Sequence, residues 1–208
     1  METEVSINVK QRNETITTIY NRRAVRKYRK KPVSKKLIEE LIAAGRMAPS
    51  AMNKQPWKFY VVTNEKLIDT FSSDIAKTAF KETVKKGLKG ILKTLSAMLH
   101  FAQSFTFSSI KDPVFYNAPV VIFITSPKTN EWAGLDIGMC AQNIMLAAKS
   151  LGLDTCPVGF GKFVEHTNHY SLLNIPSNEQ VQLSIIVGYG DEEPSVHERR
   201  TDNIKFFD

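Results

Sequence analysis

Residues 118–126 read Ala-Pro-Val-Val-Ile-Phe-Ile-Thr-Ser, and nothing polar interrupts Val120 to Ile124. A strand with one wet face alternates apolar and polar side chains. An apolar run without alternation is buried on both faces. The chain therefore needs a sheet with helices packed on each side. Two more segments supply core strands. Trp57–Thr63 is rich in aromatic and β-branched residues, and Val181–Gly188 runs through Ile185-Ile186-Val187.

The helices announce themselves by caps and spacing. Asn13 can cap a first helix to about Tyr20, with Ile16, Ile19 and Tyr20 at helical intervals. Val25 and Tyr28 alternate with basic residues, so Ala24 to Arg29 is predicted to be extended or turn-like. Ser34 can cap a second helix, with Val33 placed to staple onto Ile38. Its apolar stripe is Leu37, Ile38, Leu41, Ile42 and Met47, and Pro49 stops it near Met47. Asn64 can cap a helix bearing Leu67, Ile68, Phe71 and Ile75. A separate long helical tract is predicted from about Thr78 to Ala102, weakened by Gly87 and Gly90.

Trp132 to Ser150 is apolar nearly all round and so is predicted to be central. Gly134, Gly138 and Ala141 give it a small-residue side suited to close helix approach. Leu153–Gly161 is short, apolar and glycine-rich, and Val164–Leu173 reads as a short helix before Pro176. The tail Ile204–Phe207 is apolar and is expected to dock on a sheet edge, of this subunit or a second one. The whole is an α+β chain: a flexible arm over residues 1–12, then a single domain over 13–208.

Composition narrows the class. With 42% apolar and 24% charged residues the chain is that of a soluble globular protein. Cys140 and Cys156 form no Cys-x-x-Cys pair and lie among apolar neighbours, which predicts buried free thiols and a reducing compartment. There is no apolar leader segment and no run long enough to span a bilayer, so a cytoplasmic location with no membrane partner is expected. The formal net charge of +7 favours anionic partners. The basic stretch from Arg22 to Lys36 lacks interleaved exposed aromatics and any recognised nucleic-acid module, so nucleic acid is not the expected partner.

Neither common glycine-rich phosphate loop is present. No nucleophile elbow supports a Ser-His-Asp site. His166 and His169 are three apart, but only Glu165 accompanies them, and no metal site is expected. Arg22, Arg23 and Arg26 remain, close together at a helix end. Guanidiniums bind phosphate oxygens in pairs and stay charged at any working pH, so this cluster suits a phosphate-bearing ligand. Arg199 and Arg200 can add charge if the tail folds back.

Several motifs in order resemble one family. They are Arg22-Arg23-Ala24-Val25-Arg26-Lys27-Tyr28, Pro32-Val33-Ser34, and Ala48-Pro49-Ser50-Ala51-x-Asn53-x-Gln55-Pro56-Trp57. Asn117-Ala118-Pro119, Asp136-x-Gly138-x-x-Ala141-Gln142-Asn143, Leu151-Gly152-Leu153 and Gly188-Tyr189-Gly190-Asp191-Glu192-x-Pro194 continue the pattern. This is similar to the FMN-dependent nitroreductase family, over nearly the whole chain apart from the arm and about residues 75–112.

The resemblance implies an α+β nitroreductase-like fold, with a central, mostly antiparallel β-sheet flanked by helices, in an intertwined homodimer. It implies bound FMN, NADH or NADPH as electron donor, and a small-molecule acceptor such as a nitroaromatic or quinone. Other flavin reactions on the same scaffold are dehalogenation, azoline oxidation and flavin breakdown. By resemblance Arg22, Arg23 and Arg26 hold the ribityl phosphate around Ala24, helped by Arg199 or Arg200. Pro49, Ser50, Ala51, Met52, Asn53 and Gln55 belong to a segment lining the flavin of the neighbouring subunit, while Trp57 is a core residue. Pro157, Val158 and Gly159 pass under the ring. The flavin carries the chemistry, so no catalytic side chain is assigned. Ala24 stands where many members have serine, so any hydroxyl contact there is missing. Lys77 and Lys81 are candidates for the polar edge of the flavin.

Overall fold

The computed structural model describes residues 13–85 and 112–207. The described helices are α1 (Glu14–Asn21), α2 (Lys35–Arg46), α3 (Glu65–Lys85) and α4 (Ala133–Ser150). The strands are β1 (Lys58–Val62), β2 (Val120–Pro127), β3 (Asp154–Val158) and β4 (Glu179–Gly188). They form one antiparallel sheet in the order β1-β2-β4-β3, with Ile122 opposite Val61 on one side and Ile185 on the other.

β2 is central, and both its faces are buried, as its unbroken apolar run requires. Val120, Ile122 and Ile124 face a cluster built with α2 and α4, including Leu41, Cys140 and Ile144. Val121 and Phe123 face a second cluster that contains Phe71 and Ile75 of α3, Phe115 and Cys156. There Phe123 meets Phe71 and Phe115 edge-on, each at 5.9 Å between ring centres. The sheet thus separates two cores, one per face.

The caps are where local chemistry puts them. Asn13 Oδ1 accepts from the Ile16 N–H, Ser34 Oγ from Leu37 and Asn64 Oδ1 from Leu67. Val33 and Ile38 are buried in the same cluster, as the staple requires. Met47 departs from the expected stripe: it caps α2 and is exposed, because the helix ends there and turns its last side chain outward.

Four further expectations change. No boundary separates Ile75 from Thr78, since α3 runs unbroken from Glu65 to Lys85; the rest of the tract predicted to Ala102 lies outside the described residues. β3 is a strand that the sequence does not announce, made by its pairing with β4. Val164–Leu173 is no α-helix but the larger part of two 3-10 segments, Gly159–His166 and Tyr170–Leu173. The tail does not dock on its own sheet: Ile204, Phe206 and Phe207 are exposed.

The close helix approach also lies elsewhere. A Cβ on Gly45 of α2 would fall 2.7 Å from Ile144 Cγ1 and 3.2 Å from Cys140 Sγ, so α2 crosses α4 at Gly45. Gly134 and Gly138 face open space instead. With Leu135 and Met139 they form an exposed apolar face on a helix whose other side is core. α1 packs beside α4 and likewise exposes Ile16, Ile19 and Tyr20. No described helix is long and apolar enough to cross a membrane.

Candidate functional site

β3 is an edge strand, and residues 22–29 are laid along its free side. Ala24 bridges Thr155 in parallel, and the Val25 N–H donates to the Thr155 carbonyl at 3.0 Å. A second seam follows after β4. Arg29 N–H donates to the Tyr189 carbonyl at 2.9 Å, and Asp191 N–H to that of Lys27 at 2.9 Å. The Arg26 N–H donates to Glu192 Oε1 at 2.6 Å. The extended segment is therefore clamped on both sides, and alternate side chains leave it in opposite directions.

That alternation splits the arginine cluster. Burial pushes the Cys156 thiol up, and Arg26 and Arg22 pull it back, so both guanidiniums act on the face that carries Cys156. Ala24 packs against the same core. Arg22 is half-buried, and among the described residues its guanidinium makes no hydrogen bond or ion pair. Arg23 goes the other way. It lines a cleft of about 800 Å³ with Arg29, Lys149, Asp154 and Tyr189. Its Nη1 donates to the carbonyls of Tyr20 at 2.5 Å and Arg22 at 2.8 Å. Arg22, Ala24 and Arg26 are alternate residues of the extended segment and so share one side of it, while Arg23 leaves by the other.

Pro157, Val158 and Gly159 close β3 beside these two arginines. Val158 is buried, and its carbonyl accepts from Ser184 Oγ at 2.9 Å. Pro157 and Gly159 are exposed, and a Cβ on Gly159 would meet nothing within 4 Å. The arrangement is a cationic pair next to accessible, rigidly anchored backbone.

The loop after α2 lies on the other face of the sheet, between Ala48 and Trp57 of the first core cluster. Ser50 Oγ accepts from the Gln55 N–H at 2.9 Å, and Gln55 Nε2 donates to Asn53 Oδ1 at 3.0 Å. The Ala51 N–H donates to Asp136 Oδ1 in the first turn of α4 at 3.0 Å. Met52, Asn53 and Gln55 all have positive φ, at 52°, 54° and 45°. Three left-handed non-glycine residues in one short loop are strained, and such strain collects where a backbone has a task. Pro49, Met52 and Asn53 are exposed on this loop.

Arg199 and Arg200 are in the exposed tail and bond locally. Arg199 donates to the His197 carbonyl at 3.0 Å, and Arg200 forks onto Asp202 at 3.2 Å through both nitrogens. His169 Nδ1 lies 2.7 Å from Asp74 Oδ2, and Lys77 is 3.8 Å from the same carboxylate, so Lys77 has a partner on its own helix. Three residues at the site escaped sequence reasoning in these roles. Glu192 and Asp136 hold the two backbone segments; both stand inside the motifs quoted above. The third is Tyr116: burial pushes its phenol up, while Arg26 pulls it down by charge and by a hydrogen bond.

Comparison with known proteins places these features in context. The family model described as "Nitroreductase family" matches residues 19–189. The 4-nitrobenzoate reductase of Pseudomonas putida is 30% identical over 208 residues, covering 88% of each chain. The iodotyrosine deiodinase of Thermotoga neapolitana is 29% identical over 174 residues, covering 82% of this chain and 86% of its own. Among solved structures, a nitroreductase with bound FMN from Desulfitobacterium hafniense DCB-2 superposes with a TM-score of 0.74 at 23% identity, over 95% of this chain and all of the other.

Proposed function

The chain belongs to the nitroreductase family, and we propose that it is an FMN-dependent NAD(P)H oxidoreductase acting as a homodimer on nitroaromatic or quinone-like acceptors. The observation that carries this reading is that Arg22 and Arg26 stand on one side of the segment laid along β3, whose end exposes the backbone of Pro157 and Gly159. The residues fit the cofactor: half-buried Arg22 has a guanidinium with no partner among the described residues, which suits a phosphate dianion. Bound FMN would supply the electron chemistry between donor and acceptor.

The chain's own task is then to bind, orient and exclude. Arg22 and Arg26 take the phosphate end. Pro157, Val158 and Gly159 offer a floor for the ring, rigid because β3 is hydrogen-bonded to β4 on its inner side. Pro49 to Gln55 projects from the opposite face of the sheet, so its natural reach is to the ring bound by a second copy. The exposed apolar residues of α1, of α4 and of the tail supply a surface for that copy, which the basic surface elsewhere does not. Arg199 or Arg200 would join the phosphate once the tail is ordered against the partner. Two buried free thiols favour the cytoplasm.

Absorbance tests the reading. The purified protein should show flavin bands near roughly 450 nm that bleach with NADH or NADPH in the absence of oxygen. Arg22→Ala and Arg26→Ala should each lose the colour on gel filtration. Full colour in both variants would overturn the phosphate assignment. Reductive dehalogenation is the second reading, favoured by the likeness to a protein named as an iodotyrosine deiodinase. Recovery of the oxidised spectrum on adding a halophenol, but not a nitroarene, would select it.

A further inference from the structure

The 3-10 segment that follows β3 begins with two exposed residues, Gly159 and Phe160, set between buried Val158 and buried Gly161. One residue of β4, Ser184, anchors both neighbours. Its hydroxyl donates to the Val158 carbonyl at 2.9 Å. A Cβ on Gly161 would lie 2.6 Å from Ser184 Cβ, so only glycine lets the backbone come this close. Gly159 and Phe160 therefore form a two-residue step, fixed at each end to the same point of the sheet.

A 3-10 helix has three residues per turn, so residues i and i+3 lie one above the other. Phe160 and Phe163 are such a pair. Their rings stack with centres 6.0 Å apart and planes at 30°. Phe163 is partly buried against the core cluster that also holds Val158 and Val164, which fixes the lower ring. Phe160 stays 46% exposed, so the stacking leaves much of its ring open. An apolar ring that is held in place and still wetted gains free energy when another apolar surface covers it. A planar aromatic ligand does this best, because two rings add a specific contact to the buried area.

We propose that Phe160 is a specificity-determining residue: its ring stacks on the aromatic ring of the acceptor and favours aromatic acceptors over saturated ones. This deepens the FMN reading and rests on it, since Gly159, the residue just before, belongs to the segment offered as the floor of the flavin ring. An acceptor brought to that floor meets Phe160 as the next side chain along the backbone. The rigid step and the stacked partner keep the ring ready, so little freedom is lost when the acceptor arrives.

The test uses the full-length protein with its flavin and two acids of equal charge, benzoate and cyclohexanecarboxylate. One ring is aromatic and the other saturated, and neither acid takes electrons from the flavin. Binding is read from the shift of the flavin absorbance bands in wild type, Phe160→Leu and Phe160→Tyr. Wild type should bind benzoate more tightly than cyclohexanecarboxylate. Phe160→Leu should lose about fivefold in benzoate affinity, the scale of one aromatic pair, and stay within about twofold for cyclohexanecarboxylate. Phe160→Tyr should keep the preference. Unchanged benzoate affinity in Phe160→Leu overturns the proposal. So does an equal loss for both acids, which marks a general structural role, and so does a wild type that binds benzoate no more tightly than cyclohexanecarboxylate. A colourless protein that takes up no added FMN is the separate failure of the flavin reading, and the proposal falls with it.

Discussion

The main-chain N–H of Ala51 and Oδ1 of Asp136 are 3.0 Å apart, and this contact ties the strained loop after α2 to the first turn of α4. Asp136 is buried, and its Oδ2 has no hydrogen-bond partner among the described residues. Asp136→Ala removes the acceptor of the part-buried Ala51 N–H, at a cost of about 0.5–1.5 kcal/mol. The melting temperature should fall by about 2–4 °C per kcal/mol for a chain of this size. Limited proteolysis should cut within residues 49–56 sooner than in wild type. Asp136→Asn keeps an acceptor and should lose clearly less. Equal behaviour of the two variants would show that the contact does not hold the loop.

The exposed face of α4 gives a test of assembly. Leu135→Glu places a charge among Gly134, Gly138 and Met139, where a partner helix would have to pack. Burying that charge without a partner is costly, so association should fail. If the proposed homodimer forms through this face, light scattering should report a dimer for wild type and a monomer for the variant, and flavin should be lost with the dimer, because Pro49 to Gln55 would no longer reach a ring. A dimeric variant with full colour would mean that this face is not the interface.

Gly45 is the contact point of α2 with α4. Gly45→Val should destabilise by about 1–3 kcal/mol, since its Cβ alone meets Ile144 Cγ1 at 2.7 Å. Urea unfolding would show this as a lower midpoint with an unchanged slope. Gly138→Ala is the control: nothing lies within 4 Å of its added carbon in one chain. The monomer fold should accept it.

Burial raises the Cys140 thiol from 9.0 to about 12, with Arg46 pulling weakly the other way. A thiol raised in the folded state is protonated there when the unfolded chain has already ionised. Its contribution to stability is therefore whole below about pH 9 and is lost as pH climbs towards 12. The loss cannot exceed about 1.4 kcal/mol per pH unit. Other groups titrate in that range, so the measurement is the difference in unfolding free energy between wild type and Cys140→Ala. That difference should shrink as pH rises above 9. A flat difference from pH 8 to 10.5 would contradict it.

The legible parts of this chain are those whose cause is local. Asn13, Ser34 and Asn64 cap helices by bonding within one turn, so sequence spacing alone reveals them. The apolar run in β2 reports burial on two faces for the same reason. β3 contains Asp154 and Pro157 and has no alternation; it is a strand because β4 pairs with it. The small residues of α4 are visible in the sequence, but which neighbour they face is decided by the rest of the fold. At the candidate site, the resemblance led to the expectation of Arg22, Arg23, Arg26 and the segment at Pro157. It could not tell that Arg23 turns away, because that follows from the register of Ala24 on Thr155. Nor could it find the turn before β2, where Ser72 and Asp112 meet across 40 residues.

Arg26 and Glu192 are joined by a hydrogen bond although 166 residues separate them. Closing so long a loop yields nothing until most of the intervening chain is already compact. The proposed phosphate-binding end should accordingly be among the last parts to assemble during refolding. Helix and sheet signals would recover first, and competence to take up a flavin would lag behind them. On the proposed reading, a cell making this protein would then hold, for a time, chains with a formed core, no cofactor, and apolar surfaces still open to a second copy.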